Sequence, residues 1–421
     1  MTDTVALVLA GGKIGGFGVL THNRTKGALP FAGHYRVIDF TLSNLSNSNI
    51  TSIGVITQYL PASLIEHIGG GDAWDLHRSD CIIKIMPPFV GVGQTTWFRG
   101  TSDAVFRNLN FVHDLDPRDV IVLPGEHIYH MDYRNALEFH RSHDANLTIV
   151  GKHLPPEQLS LRFGYLKADE NNAVTFFKEK PSEILGNFVS IGIYIFKKDY
   201  LIEEITKRAE SGLTQNLVFD VIEPIAAMPG VYVYEFDGYW EYLENIDNYY
   251  QTSMRLLEKD SPIKPDKWEI TTNLEDRALG YRPPVYIGES AHLEDSLVSP
   301  GSIIEGTVRR SILSPGVRVH QGAVIEDSIL MHDCEALQGV HIKRTVSDKN
   351  VVFAKNARVG GVMKKSIQNP ELPELKHGLT IIGKGAVIGE DISIDCCSQV
   401  YPGKDLTSYK GTQFAPGINI K

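Results

Sequence analysis

The stretch Ile381-Ile-Gly-Lys-Gly-Ala-Val-Ile-Gly-Glu-Asp-Ile-Ser-Ile-Asp-Cys-Cys-Ser-Gln-Val400 places an aliphatic side chain at 382, 388, 394 and 400. A period of six fits neither an amphipathic helix (3.6) nor an exposed strand (2). It fits a coil of three short faces, each sending one apolar residue inward, stacked on identical coils. Working outward, the period recurs at Ile287 and Leu293, at Leu297 and Ile303, at Leu313, Val319 and Ile325, and at Val340, Val346 and Val352. Gly, Ala, Ser and Asn fill the turns between. Residues 284–421 therefore read as a hexapeptide β-helix, interrupted by a loop near 363–378. Residues 256–283, containing Ser261-Pro-Ile-Lys-Pro265, read as a linker.

Upstream the texture differs. Val5–Leu9, Ser52–Ile56, Asp119–Leu123, Leu147–Val150, Ala173–Phe177 and Ser190–Phe196 read as strands; Tyr35–Asn47, Leu60–Ile68 and Asp103–Leu115 read as helices. Alternation of the two predicts an α/β, doubly wound domain over residues 1–255, with a mostly parallel sheet covered on both faces. Ligands of such sheets sit beyond the carboxyl ends of the strands, so the loops at Gly11 and Gly125 are the places to look.

Composition narrows the function. The chain has 421 residues and a net charge of −10, which excludes a general nucleic-acid binder. No run reaches 18 apolar residues and no basic leader precedes Val5, so neither a membrane span nor a signal peptide is expected, and the expected compartment is the cytoplasm. Four cysteines (Cys81, Cys334, Cys396, Cys397) without a CxxC pair make a disulfide framework or zinc site a poor fit; buried thiols are expected. Glycine, at 38 residues, exceeds the usual share of about 7% and is assigned to phosphate loops and coil turns.

The chemistry lies in an ordered series of motifs. Leu9-Ala-Gly-Gly12 follows the first strand, and glycine lets backbone N–H groups approach a phosphate. Leu20-Thr-His-Asn-Arg-Thr-Lys-Gly-Ala-Leu-Pro-Phe31 supplies Arg24 and Lys26. Gly100-Thr-Ser-Asp-Ala104, Gly125-Glu-His127, Phe177-Lys-Glu-Lys-Pro181, Ser190-Ile-Gly-Ile-Tyr194 and Gly238-Tyr-Trp-Glu-Tyr242 follow. This order resembles the ADP-glucose pyrophosphorylase (glucose-1-phosphate adenylyltransferase) family along essentially the whole chain. The resemblance implies a Rossmann-like nucleotidyltransferase domain followed by a left-handed β-helix. It also implies a reaction of glycogen or starch biosynthesis, in which a phosphate oxygen of glucose 1-phosphate attacks the α-phosphorus of ATP and pyrophosphate leaves. It assigns Leu9, Ala10, Gly11, Gly12, Gly100, Thr101 and Asp103 to the nucleotide, and Glu179, Lys180 and Ser190 to the sugar phosphate. Lys26 and Arg24 fall in the catalytic set, and Mg²⁺ is held by carboxylates at 126 and 242.

Three departures fall on that chemistry. Gly16 stands where the family has a leaving-group arginine, with Lys13 and Arg24 as partial substitutes. Glu126 replaces an aspartate, displacing its carboxylate by about 1 Å, a shift that costs about 10²-fold in rate. Tyr242 stands in place of the second metal aspartate and offers no anionic oxygen at neutral pH. His34 replaces the activator-linked lysine, while Arg36 is kept. The expectation is a weakly active or regulatory subunit that pairs with a catalytic paralogue in a tetramer. The alternatives are a fully active adenylyltransferase and a stand-alone sugar-phosphate sensor.

Overall fold

The computed structural model describes residues 3–12, 15–89, 97–212, 215–274, 280–361 and 367–421. They form two compact units, each assembled from three chain segments: 1–12, 40–61 and 68–240 in the first, and 13–39, 62–67 and 241–421 in the second. Lys13 and residues 363–366 of the expected loop lie outside the described residues.

The first unit is built on a nine-stranded sheet. Its strands are β1 (Thr4–Leu9), β2 (Ser52–Ile56), β3 (Ile82–Met86), β4 (Asp119–Pro124), β5 (Leu147–His153), β6 (Gly164–Ala168), β7 (Val174–Glu179), β8 (Phe188–Lys197) and β9 (Val231–Glu235). The order is β7-β6-β8-β4-β1-β2-β3, with β5 paired to both β8 and β9. The sheet is mixed rather than mostly parallel. β1, β2, β3 and β4 run parallel, as do β5 and β9, but β8 is antiparallel to β4, β5 and β6. Strand-like runs in sequence carry no direction, so the antiparallel half was invisible. Val5, Leu7, Val120, Val122, Leu147, Ile149 and Phe196 form its core, and burying each side chain is worth about 1.5–3 kcal/mol.

Three helical expectations shift, the slightest being the helix expected from Leu60, which begins at Ala62, after Pro61. Residues 103–115 are not one helix but two, Thr101–Arg107 and Leu109–Leu115. Asn108 breaks the run by donating its side-chain amide to the Ala104 carbonyl, 2.8 Å. The helix expected from Tyr35 begins at Val37, because Tyr35–Arg36 pairs with Pro30–Phe31.

In the second unit, parallel strands two or three residues long stack into three sheets of six, seven and seven strands among the described residues, the arrangement of a hexapeptide β-helix. The inward columns are Ile304, Val319, Ala336, Phe353 and Ile388; Val308, Ile325, Ile342, Val359 and Ile394; and Leu313, Leu330, Ser347, Ile382 and Val400. The series Val340, Val346 and Val352 and the pair Leu297 and Ile303 are thus out of register. The inward positions are Ile342 and Phe353, in separate columns, and Val298 and Ile304, since the steps Leu293 to Val298, Ile325 to Leu330 and Ile342 to Ser347 are five residues, not six. At this shortened corner a hydroxyl ladder satisfies the backbone. The N–H groups of Ser311, Ser328 and Thr345 donate to the side-chain oxygens of Ser296, Ser311 and Ser328. Beside it, Glu294, Arg309, Glu326 and Lys343 alternate in charge from coil to coil. All four cysteines are buried free thiols.

Candidate active site

In the first unit, the loop after β1 is tied to its neighbours by backbone. Ala10 N–H donates to the Ile56 carbonyl (2.9 Å), Tyr59 N–H to that of Gly11 (3.1 Å), and Gly125 N–H to that of Leu9 (3.0 Å). The space around Gly12 is open. Gln58, which sequence reading missed, both donates to the Phe98 carbonyl and accepts from the Phe98 N–H, so it pins the start of the 100–104 segment. Gly100 is required by close approach, since a Cβ there would stand 1.6 Å from the Gln215 carbonyl oxygen. Thr101 accepts the Leu217 N–H through its hydroxyl. Asp103 is buried; it accepts the Arg99 N–H at 3.0 Å and pairs with Arg107 Nε at 2.9 Å. Its carboxylate closes the first turn of its own helix, a capping role that the local spacing can explain afterwards.

At the end of β4, Glu126 is half-buried and His127 accepts the Trp240 indole N–H at Nδ1, 3.0 Å. An indole only donates, so the neutral imidazole carries its proton on Nε2. Glu179 of β7 and Ser190 of β8 flank Gly164 of β6 in register. Burial pushes the Glu179 carboxyl above its usual range, against the pull of Lys180, whose Nζ lies 3.6 Å away. The Ser190 hydroxyl donates to the Tyr194 oxygen and accepts the Gly192 N–H. Lys180 has a left-handed backbone (φ 43°) and a half-exposed side chain, with Nζ 5.8 Å from the centre of the Phe219 ring. The sheet therefore brings Glu179, Lys180 and Ser190 together as a polar group.

In the second unit, Lys26 is 1% exposed. Its ammonium donates to the Leu243 carbonyl (2.8 Å) and lies 4.6 Å from the Tyr242 ring centre and 5.7 Å from that of Phe17. A carboxylate at 242 would pair with this cation; the phenol ring holds it through its π face. Gly16 has φ 86°, and a Cβ there would lie 3.1 Å from the Asn245 Cβ, so the position resists an arginine. Arg24 is not presented to a phosphate: its guanidinium is held by Asp348. Arg36 is buried and donates to both the hydroxyl and the carbonyl of Ser63, while its backbone N–H donates to Asp39. His34 packs on Tyr35, and burial lowers its pKa despite Asp39 nearby.

Among the described residues, no group of three or more His, Cys, Asp or Glu side chains is placed to hold a metal ion. A neutral phenol packed on an ammonium is a poor ligand for a hard divalent cation. Tyr242 itself offers a divalent cation no carboxylate. Nor is any described helix long and apolar enough to cross a membrane.

The mixed sheet with its glycine loop, followed by hexapeptide coils, defines a nucleotidyl transferase class. A family model described as nucleotidyl transferase matches residues 5–259, and one described as GlmU-like C-terminal hexapeptide matches residues 286–382. The glucose-1-phosphate adenylyltransferase of Desulfitobacterium hafniense (strain Y51) is 36% identical over 398 residues, covering 92% of this chain and 97% of its own. That of Acetivibrio thermocellus is 34% identical over 424 residues, covering 97% of each, and that of Thermosipho africanus 38% over 329 residues, covering 77% and 78%. The chain belongs to the glucose-1-phosphate adenylyltransferase family.

Proposed function

We propose that this protein binds ATP and glucose 1-phosphate but turns them over weakly, acting in the cytoplasm as a regulatory subunit of a tetramer with a catalytic paralogue in glycogen or starch synthesis. The observation that carries this reading is the enclosure of Lys26. Its ammonium is packed between Tyr242, Phe17 and the Leu243 carbonyl, away from solvent, where the family chemistry wants a cation for phosphate and a carboxylate beside it. The sugar side is complete by comparison. Glu179 can take sugar hydroxyls, Lys180 a phosphate, and Ser190 a further oxygen. A chain that keeps ligand-holding groups and lacks the groups that stabilise the transition state binds without much rate gain, because only the latter lower the barrier.

Pyrophosphate release from ATP and glucose 1-phosphate tests the reading. Turnover at or above about 1 s⁻¹, the low end of ordinary enzymes, overturns the weak-activity reading. The pair Glu126→Asp and Tyr242→Asp is expected to raise the rate by about 10²-fold, the scale of one restored electrostatic contact. Co-purification with a homologous chain distinguishes a subunit from a stand-alone sensor.

A further inference from the structure

Among the described residues, a deeply buried ion pair joins two distant parts of the chain. One guanidinium nitrogen of Arg24 lies 2.6 and 2.7 Å from the two carboxylate oxygens of Asp348, with both side chains at most 4% exposed. Asp348 sits on a β-helix coil, where the Lys349 N–H donates to its carboxylate and the Cys334 thiol and Ser347 hydroxyl donate to its carbonyl. Its side chain is therefore held from behind before it meets Arg24. Desolvating two charges is offset only by close geometry, so such a pair contributes little net stability; its best-attested use is to fix register.

The register fixed here is that of residues 17–36, which contain only short 3-10 turns and one two-residue strand pair. The segment is laid against coil residues at several points. A Cβ on Gly18 would meet Leu372, Ile381 and Gln399 at 2.6–2.9 Å, and one on Gly33 would meet Ser299 and Leu297. The His22 ring packs edge-on to Tyr401. Arg24 is the only charged group of these anchors, and Lys26 stands two residues beyond it.

We infer that Asp348 is a positioning residue: through Arg24, the β-helix sets where the Lys26 ammonium stands. The proposal rests on the reading above that Lys26 belongs to the catalytic set and that its ammonium is enclosed. Acylation of lysines by an N-hydroxysuccinimide ester, followed by peptide mass spectrometry on the full chain, tests it without requiring turnover. Asp348→Asn is expected to raise Lys26 labelling by about tenfold or more while Lys152 and Lys343 keep their rates, because losing one partner frees the anchored loop. The double variant Arg24→Met, Asp348→Leu removes both charges without leaving one buried alone, and is expected to give the same selective rise in a stably folded protein. Unchanged Lys26 labelling in the folded double variant, or an equal rise at all three lysines, overturns the proposal. Asp348→Glu is expected to restore most of the protection. ATP titration of Lys26→Ala separates the two readings. Unchanged affinity is expected of an enclosed ammonium, and a loss of about tenfold or more overturns the proposed function, while the labelling result still stands or falls by itself.

Discussion

A single side chain decides what its neighbour is able to do at position 242. A carboxylate there would draw the Lys26 ammonium into an ion pair and offer oxygens to a metal; the phenol offers a ring face, and the ammonium packs on it at 4.6 Å. Position 16 shows the converse, a backbone constraint that opposes replacement by arginine. With φ 86° and Asn245 close by, Gly16→Arg is expected to lower stability by about 1–3 kcal/mol, the cost of a left-handed non-glycine residue plus crowding. Urea unfolding measures this, and a variant as stable as the parent would show that the loop relaxes freely. A third residue-scale case is pH. His140 is buried beside Asp119 and Thr148, and burial pulls its pKa from 6.5 to about 4. The native state therefore prefers the neutral ring. The associated stability, about 3 kcal/mol, is complete above pH 6.5 and is lost as pH falls through 4. Burial raises the Asp119 carboxyl, a contribution of opposite sign that grows as pH falls. Unfolding midpoints between pH 7 and 4 are expected to fall less in His140→Gln than in the parent; parallel curves would remove His140 from the acid response.

At the scale of elements, the β-helix owes its register to corners as much as to its aliphatic columns. The Ser328 hydroxyl donates to the Glu326 carbonyl and accepts the Thr345 N–H, joining two coils where the face is one residue short. Ser328→Ala leaves that buried N–H without its partner and is expected to cost about 1–3 kcal/mol, read as a lowered thermal midpoint. By contrast Glu294→Ala, on the exposed charge ladder, is expected to cost less than about 1 kcal/mol. Equal losses would mean that the ladder of charges, not of hydroxyls, sets the stack. The same corner explains why a strict six-residue period reads the core correctly at 313–325 and 382–400 but slips at 297–303 and 340–352. A five-residue step is hidden when the residue removed is a turn residue and both flanking patterns remain aliphatic.

The whole molecule consists of two compact units whose limits are not those of the sequence motifs. Residues 13–39 lie early in the nucleotidyl transferase pattern, yet they belong with the coils, and Tyr249 and Tyr250 join the same unit by donating to the Pro30 and Asp327 carbonyls. A chain cut to residues 1–255 is expected to lose the partners of Arg24, Gly33 and Tyr250 together. It should show no cooperative thermal transition by calorimetry; a transition like that of the full chain would mean that 13–39 folds without the coils.

The sequence by itself determined the family, the order of the motifs, the hexapeptide period and the residue types at 16, 126 and 242. Each of these is written in local spacing or residue type, which the chain carries wherever it folds. Tertiary structure alone decided that half of the sheet runs antiparallel, that Asp103 caps its own helix, that Lys26 is enclosed, and that Arg24 answers to Asp348 rather than to a phosphate. The last pairing spans 324 residues. A buried charge is stable only where its partner is brought to it, and no local pattern records which distant coil will do so.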